Sequence, residues 1–93
     1  MGIFNDRQLA YVVDARIEVL GTITLFGGKF RLLVRGEHVD EAACNIGKSV
    51  TLRARLQQDG VEKQLEVQVT QGWMGTRFRL LVDGQPHRLH QAY

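Results

Sequence analysis

The sequence has few of the residues from which disulfide frameworks, catalytic triads and membrane spans are built. It contains one cysteine, one proline and one tryptophan among its 93 residues, and its only serine is Ser49. A single cysteine, Cys44, cannot form an internal disulfide, which is typical of a reducing compartment. The longest unbroken apolar run, Leu9 to Val13, has five residues, whereas a membrane helix needs about 20.

The composition and the N-terminus predict a cytoplasmic protein without a membrane span. Hydrophobic residues make up 44% of the chain and charged residues 24%, as in ordinary soluble domains. Residues 1–7 lack the basic segment, the long apolar segment and the small-residue cleavage site of a secretory signal. A chain of this length buries only about 60–65% of the surface that its unfolded form exposes, so we expect a single domain, residues 1–93, with a thin core.

An internal repeat organises the chain. The five letters FRLLV at residues 30–34 return at residues 78–82, which is 48 positions later. Without a gap, residues 13–41 align with residues 61–89 and share eleven identities in 29 positions. Self-similarity of this kind predicts that one structural unit is duplicated within the domain.

Alternation of apolar and polar residues predicts antiparallel β-hairpins, most clearly in the second copy. A two-residue turn at Asp59-Gly60 would place like residues opposite one another, in the pairs Leu52 with Val67, Ala54 with Leu65, Arg53 with Glu66 and Arg55 with Gln64. Further turns are predicted at Gly27-Gly28, Arg35-Gly36 and Asp83-Gly84, the last of which would pair Leu80 with His87 and Phe78 with Leu89. Pro86 lacks a backbone donor and predicts an edge strand.

Residues 5–20 are compatible with a helix or a strand. Asn5 and Gln8 resemble a capping box, and apolar residues keep helical spacing as far as Gly21. Against the helix, the aligned residues 61–69 alternate strictly, as a strand does. The prediction is a short helical or irregular lead-in over residues 5–10 and a strand from about Val12. One face of that strand would carry Val13, Ala15, Ile17, Val19, Ile23 and Leu25.

The segment between the copies predicts a short helical connector. Asp40 has the character of an N-cap, and Gly47 follows the last predicted helical residue. The predicted fold is therefore mainly all-β, with a duplicated antiparallel unit that forms a small barrel or sandwich.

Two apolar turns are the most unusual local feature. Leu25 and Phe26 precede Gly27, and Trp73 and Met74 occupy the equivalent positions of the second copy. Hairpin tips usually carry polar residues, so these four side chains predict a surface for a ligand, a partner or a second copy of the chain. The alternative is that the tips fold over the open end of the sheet and complete the core.

Seven basic residues occupy outward positions of the predicted strands. Together they would form a basic face consisting of Lys29, Arg31, Arg35, Arg53, Arg55, Arg77 and Arg79. A sheet that stacks bases needs exposed aromatics between such charges, but Phe30 and Phe78 have the inward parity. Nucleic acid is therefore not the favoured partner, and pairs such as Arg53 with Glu66 indicate a solvated structural face.

The sequence contains no recognisable catalytic, cofactor-binding or metal-binding motif. His87 and His90 would face opposite sides of a strand, and no cysteine pair or carboxylate stands at ligand spacing. Cys44 is predicted to be a small buried side chain rather than a nucleophile. No glycine-rich phosphate loop is present. We therefore predict that the protein binds no cofactor and no metal. The favoured hypothesis is that it is not an enzyme.

Three functional hypotheses remain open. The favoured one is a protein-interaction module that self-associates or binds another protein. The alternatives are a small-ligand-binding β-barrel and a sheet that binds nucleic acid through its arginine-rich face.

Overall fold

The computed structural model describes residues 4–12, 14–24, 27–72 and 75–91. Within these ranges the chain forms nine β-strands and no helix: β1 Phe4–Val12, β2 Ala15–Thr24, β3 Gly27–Val34, β4 Glu37–Asn45, β5 Ser49–Gln58, β6 Val61–Gly72, β7 Gly75–Val82, β8 Gln85–His87 and β9 His90–Gln91. A five-stranded sheet has the order β4-β3-β2-β1-β9, and a four-stranded sheet has the order β5-β6-β7-β8. The described part of the chain holds no helix with the length and hydrophobicity that crossing a bilayer requires.

The prediction of an all-β, antiparallel fold is confirmed, but the helical connector is wrong. Of the two predicted alternatives, a barrel or a sandwich, the described residues do not form the closed barrel. Residues 40–45 belong to β4, whose backbone pairs with β3 as far as Gly27 opposite Asn45. Pairing with a neighbouring strand overrides the weak local preference of this segment for a helix. Among the described residues, the strands pair into two separate sheets rather than a closed barrel.

The helical lead-in over residues 5–10 is also wrong, because this segment is part of β1. All nine residues of β1 pair with β2, ending at Val12 opposite Ala15. Gly27 and Gly28, predicted to form a turn, are instead the first residues of β3, where Gly27 pairs with Thr24. The helical spacing of the apolar residues was therefore misleading, because the segment spans two successive strands, β1 and β2, of nine and ten residues.

The turn chemistry of the second half is confirmed at Asp59-Gly60. The observed register contains all four predicted pairs of that hairpin, and both turn residues have positive φ, 53° and 77°. The turn at residues 83–84 is confirmed as well, with Leu80 opposite His87, and Pro86 lies in the edge strand β8. The predicted pairing of Phe78 with Leu89 is wrong, because β8 ends at His87 and the chain then crosses to the other sheet as β9.

The core lies between the inner faces of the two sheets. Its largest fully buried side chains come from both sheets and include Phe30, Ile17, Leu32, Leu52, Leu56, Leu65 and Leu80. The rings of Phe30 and Phe78 meet edge to face across the two sheets, with centroids 5.7 Å apart. The predicted inward face of β2 is confirmed for Ala15, Ile17 and Val19, which are buried, and Ile23 is half-buried. Val13 and Leu25 lie outside the described residues.

Asp40 links the edges of the two sheets. Its Oδ2 atom accepts a hydrogen bond from the backbone N–H of Arg53 at 2.8 Å, and its Oδ1 atom accepts one from the N–H of Glu41 at 2.9 Å. Because β4 and β5 are edge strands, each has backbone N–H groups that no neighbouring strand of its own sheet can pair with. The Asp40 carboxylate accepts a hydrogen bond from one of them, the N–H of Arg53. At the opposite edge, His87 Nε2 donates to the carbonyl oxygen of Tyr11 at 2.9 Å.

We expect Asp40→Ala to lower the free energy of unfolding by about 1–2 kcal/mol, because two backbone donors lose their acceptor. Urea unfolding followed by circular dichroism measures the change. Glu37→Ala is the control, since Glu37 is exposed on the same strand and its loss should change stability by less than about 0.5 kcal/mol. Equal effects of the two substitutions would contradict a linking role for Asp40.

Candidate interaction surfaces

The outer face of the five-stranded sheet carries an apolar strip. Leu9, Leu20 and Leu33 point away from the core on three adjacent strands, and each is half-buried. Tyr11 lies on the same face as Leu9 and is 60% exposed. These four side chains, called here the leucine strip, give an outer sheet face a hydrophobic character that solvent-facing strands usually lack.

Glu18 is buried within this outer face. It pairs with Leu9 on one side and Leu33 on the other, and it is only 5% exposed. Its carboxylate forms ion pairs with Arg7 and Arg16, each at 2.9 Å. A carboxylate with so little access to water requires such partners, because an unpaired buried charge costs several kcal/mol.

Sequence reasoning missed Glu18, because alternation assigns it to a solvent-facing position. Its low exposure results from side chains on both neighbouring strands, which a single-strand pattern does not reveal. One signal was available, since Glu18 and Glu66 are identical residues at equivalent positions of the repeat.

A shallow depression of about 260 Å³ lies beside the leucine strip. It is lined by Leu20, Arg31, Leu33, His38 and Glu41. A hydrogen bond from Lys29, together with the charge of that ammonium group, holds the pKa of Glu41 below its ordinary value, and Lys29 Nζ lies 3.0 Å from Glu41 Oε2. Because the pKa of Glu41 is lowered in the folded state, the pair of Glu41 with Lys29 stabilises the fold at pH values above the ordinary pKa of a glutamate side chain. That contribution is lost as the pH falls through the lowered value.

The outer face of the four-stranded sheet is polar by contrast. Its exposed cations are Arg53 and Arg55 on β5 and Arg77 and Arg79 on β7, and polar side chains of β6 lie between them. Arg53 Nε lies 3.5 Å from Glu66 Oε1. The other three arginines form no ion pair with any residue that the structure describes.

The seven basic residues of the predicted face are divided between two surfaces. Lys29 and Arg31 lie on the outer face of the five-stranded sheet, whereas four arginines lie on the four-stranded sheet. Arg35 lies in the turn between β3 and β4, with its guanidinium 3.5 Å from the Gln57 carbonyl oxygen. Because the inner faces share one core, the two outer faces point in opposite directions and do not form a single basic face.

The four apolar tip residues lie outside the described part of the chain. They are Leu25, Phe26, Trp73 and Met74. Their predicted role as a partner or ligand surface therefore stays a prediction.

Cys44 is buried, as predicted for this single cysteine. It is 3% exposed, and its Sγ atom donates to the carbonyl oxygen of Lys48 at 3.1 Å. His87 and His90 lie on β8 and β9, in different sheets. Within the described ranges, no group of three or more His, Cys, Asp or Glu side chains could hold a metal ion.

Comparison of the chain with protein-family models, with curated proteins and with solved structures finds no match. The chemistry of the two outer faces is therefore the ground for assigning a function.

Proposed function

We propose that this chain is a non-enzymatic β domain that self-associates through the leucine strip. One observation carries the proposal: the two outer faces differ in polarity although they occupy equivalent places in the fold. Leu20 of the five-stranded sheet corresponds to Gln68, 48 positions later, on the four-stranded sheet. Three partly exposed leucines on one outer face, against the single Leu81 among the described strand residues of the other, are typical of a surface that a protein covers.

A second copy of the chain is the partner that suits this face. Both signs of charge accompany the leucine strip, in the ion pairs of Glu18 with Arg7 and Arg16 and of Glu41 with Lys29. In a two-fold dimer each residue of the face meets the same face of the other copy, so a surface carrying both signs can complement itself.

The size of the molecule is sufficient for such a dimer. The molecule measures 43 × 23 × 19 Å, and a face bounded by its two longer dimensions can supply the ~800 Å² per partner of a standard interface. Full burial of a leucine contributes about 1.5–3 kcal/mol. The leucines of the strip are already half-buried, so each would contribute about 1 kcal/mol on association, and the more exposed Tyr11 would contribute more.

We expect Leu33→Ser to weaken self-association, because it replaces one of the three leucines of the leucine strip with a small polar side chain. Sedimentation velocity or light scattering over a range of protein concentrations measures the molar mass. The matched control is Leu81→Ser, which makes the same change at the equivalent position of the polar outer face. The proposal expects a lower molar mass at a given concentration for Leu33→Ser and an unchanged one for Leu81→Ser.

A wild type that is monomeric at high concentration would overturn the proposal. A third variant, Phe26→Ser combined with Trp73→Ser, tests the other predicted surface. If this variant alone dissociates the protein while Leu33→Ser does not, the apolar tips form the interface and the leucine strip does not.

Duplication of one unit is a further part of this proposal. Three correspondences at an offset of 48 support it: β3 Gly27–Val34 with β7 Gly75–Val82, Arg35 at φ 54° with Asp83 at 51°, and Gly36 at φ 81° with Gly84 at 80°. The third strands differ, since β4 runs from Glu37 to Asn45 whereas β8 ends at His87. The inferred copies therefore correspond best in their central strands.

A further inference from the structure

The outer face of the four-stranded sheet presents a regular array of hydrogen-bond donors. Arg77 and Arg79 lie two residues apart on β7, both exposed, which spaces them by ~7 Å along the strand. Each begins a row of polar side chains that runs across β7, β6 and β5. Arg77 lies opposite Thr70, which lies opposite Ser49. Arg79 lies opposite Gln68, which lies opposite Thr51. Arg55 adds a third cation without an ion pair among the described residues.

The corresponding cations of the five-stranded sheet lie beside a carboxylate, which distinguishes them from this array. Lys29 and Arg31 correspond to Arg77 and Arg79, 48 positions earlier. Glu41 of the adjacent strand lies opposite Arg31 and forms an ion pair with Lys29. The residue that corresponds to Glu41 is Leu89, and β8 has already ended at His87. Arg77 and Arg79 instead lie opposite Thr70 and Gln68, and neither forms an ion pair with a residue that the structure describes.

Phosphate oxygens match these donors better than a protein surface does. Arginine, threonine, serine and glutamine side chains are the donors that hold nucleic-acid phosphates in place. The core of a protein interface is instead enriched in aromatic and apolar side chains. Among the described residues on the outer face of the central strands β6 and β7, Leu81 is the one large apolar side chain, and it is half-buried.

We propose that the outer face of the four-stranded sheet binds the phosphate backbone of nucleic acid without regard to base sequence. The inward parity of Phe30 and Phe78 in the sequence disfavours a sheet that stacks nucleic-acid bases. The structure places both rings toward the core, in contact with each other. Their orientation argues against base stacking by these rings, but contacts to phosphates need only cations and donors.

The test is the affinity for a fluorescein-labelled oligothymidylate of about 20 nucleotides, measured by fluorescence anisotropy at about 50 mM salt. Phosphate contacts by Arg55, Arg77 and Arg79 predict a slope near −2 for log affinity against log salt, at about −0.7 for each phosphate. Arg77→Gln combined with Arg79→Gln should lower the affinity roughly tenfold and reduce the slope by about 1.4.

The matched control is Lys29→Gln combined with Arg31→Gln, which removes the same charge from the equivalent positions of the other sheet. Its affinity should stay within about twofold of the wild type, since long-range effects between exposed charges are largely screened. Circular dichroism confirms that both variants are folded. A mixed-sequence oligonucleotide should bind within about threefold of oligothymidylate, as contacts to phosphates carry no base preference.

Three outcomes would each overturn the proposal. The first is a wild type without salt-dependent binding. The second is an equal loss of affinity in the two double variants, which would show that net charge alone is responsible. The third outcome is competition by polyglutamate as effective as that by unlabelled oligonucleotide, which would assign the face to an acidic protein segment.

Discussion

The Leu80→Arg variant is expected to be unfolded or aggregated. Leu80 is fully buried at the inner face of β7, so the substitution would place an arginine charge among core residues with no acidic partner nearby. Burying an unpaired charge costs several kcal/mol, and the whole stability of a domain of this size is ~5–10 kcal/mol. Far-UV circular dichroism and urea unfolding of the purified variant measure the effect.

The adjacent variant Leu81→Arg provides the matched control. Leu81 is half-buried on the outer face of the same strand, where an arginine can extend into water, so we expect a folded protein. Neighbouring residues of a strand face opposite sides of the sheet. If Leu81→Arg unfolds the protein and Leu80→Arg does not, the register of β7 differs by one residue from the one described.

The second large effect is expected at Gly27, where substitution by alanine should destabilise the fold far more than the same change at Gly75. The two glycines begin β3 and β7 and have almost the same backbone conformation, with φ of 148° and 147°. A side chain at this φ costs of order 1–3 kcal/mol at either position. That strain is the expected cost of Gly75→Ala, because no atom of the described residues, chain neighbours aside, lies within 4 Å of the added Cβ.

At Gly27 the added Cβ also meets the neighbouring strand β4. It would overlap the carbonyl oxygen of Cys44 and lie 2.9 Å from the Cα atom of Asn45. Both are backbone atoms that cannot rotate away, so β4 would have to separate from β3, and we expect an additional loss of about 2 kcal/mol or more. Urea unfolding midpoints of the two variants test this difference. Equal midpoints would show that β4 is free to move at its C-terminal end.

Much of the four-stranded sheet could be predicted because local signals agreed there. At Asp59-Gly60 the turn residues and the alternation of the flanking strands imply the same register, and a shift of one residue would have turned the apolar side chains toward water. The inward positions of β2 followed from the same period of two. For these elements, neighbouring residues contain the necessary information.

The candidate surfaces were less predictable, because they depend on which strands become neighbours. The parity of each strand correctly assigned Arg31 and Arg79 to outward positions. It could not show that the two arginines lie on opposite sides of the molecule, or that Glu41 lies opposite one of them only. The burial of Glu18 likewise depends on Leu9 and Leu33, which lie opposite it on the two neighbouring strands.

The sequence by itself determined the strand periodicity, the tight turns at residues 35–36, 59–60 and 83–84, and the inward side chains, since each depends on residues within one hairpin. Only the tertiary structure decided that residues 5–10 and 40–45 are strands, because backbone groups pair there with strands whose local propensity is stronger. It also decided that the chain crosses between sheets after His87, and that the cations separate into two faces. These features arise from long-range pairing, in which the partner strand rather than the local sequence supplies the hydrogen bonds and the burial.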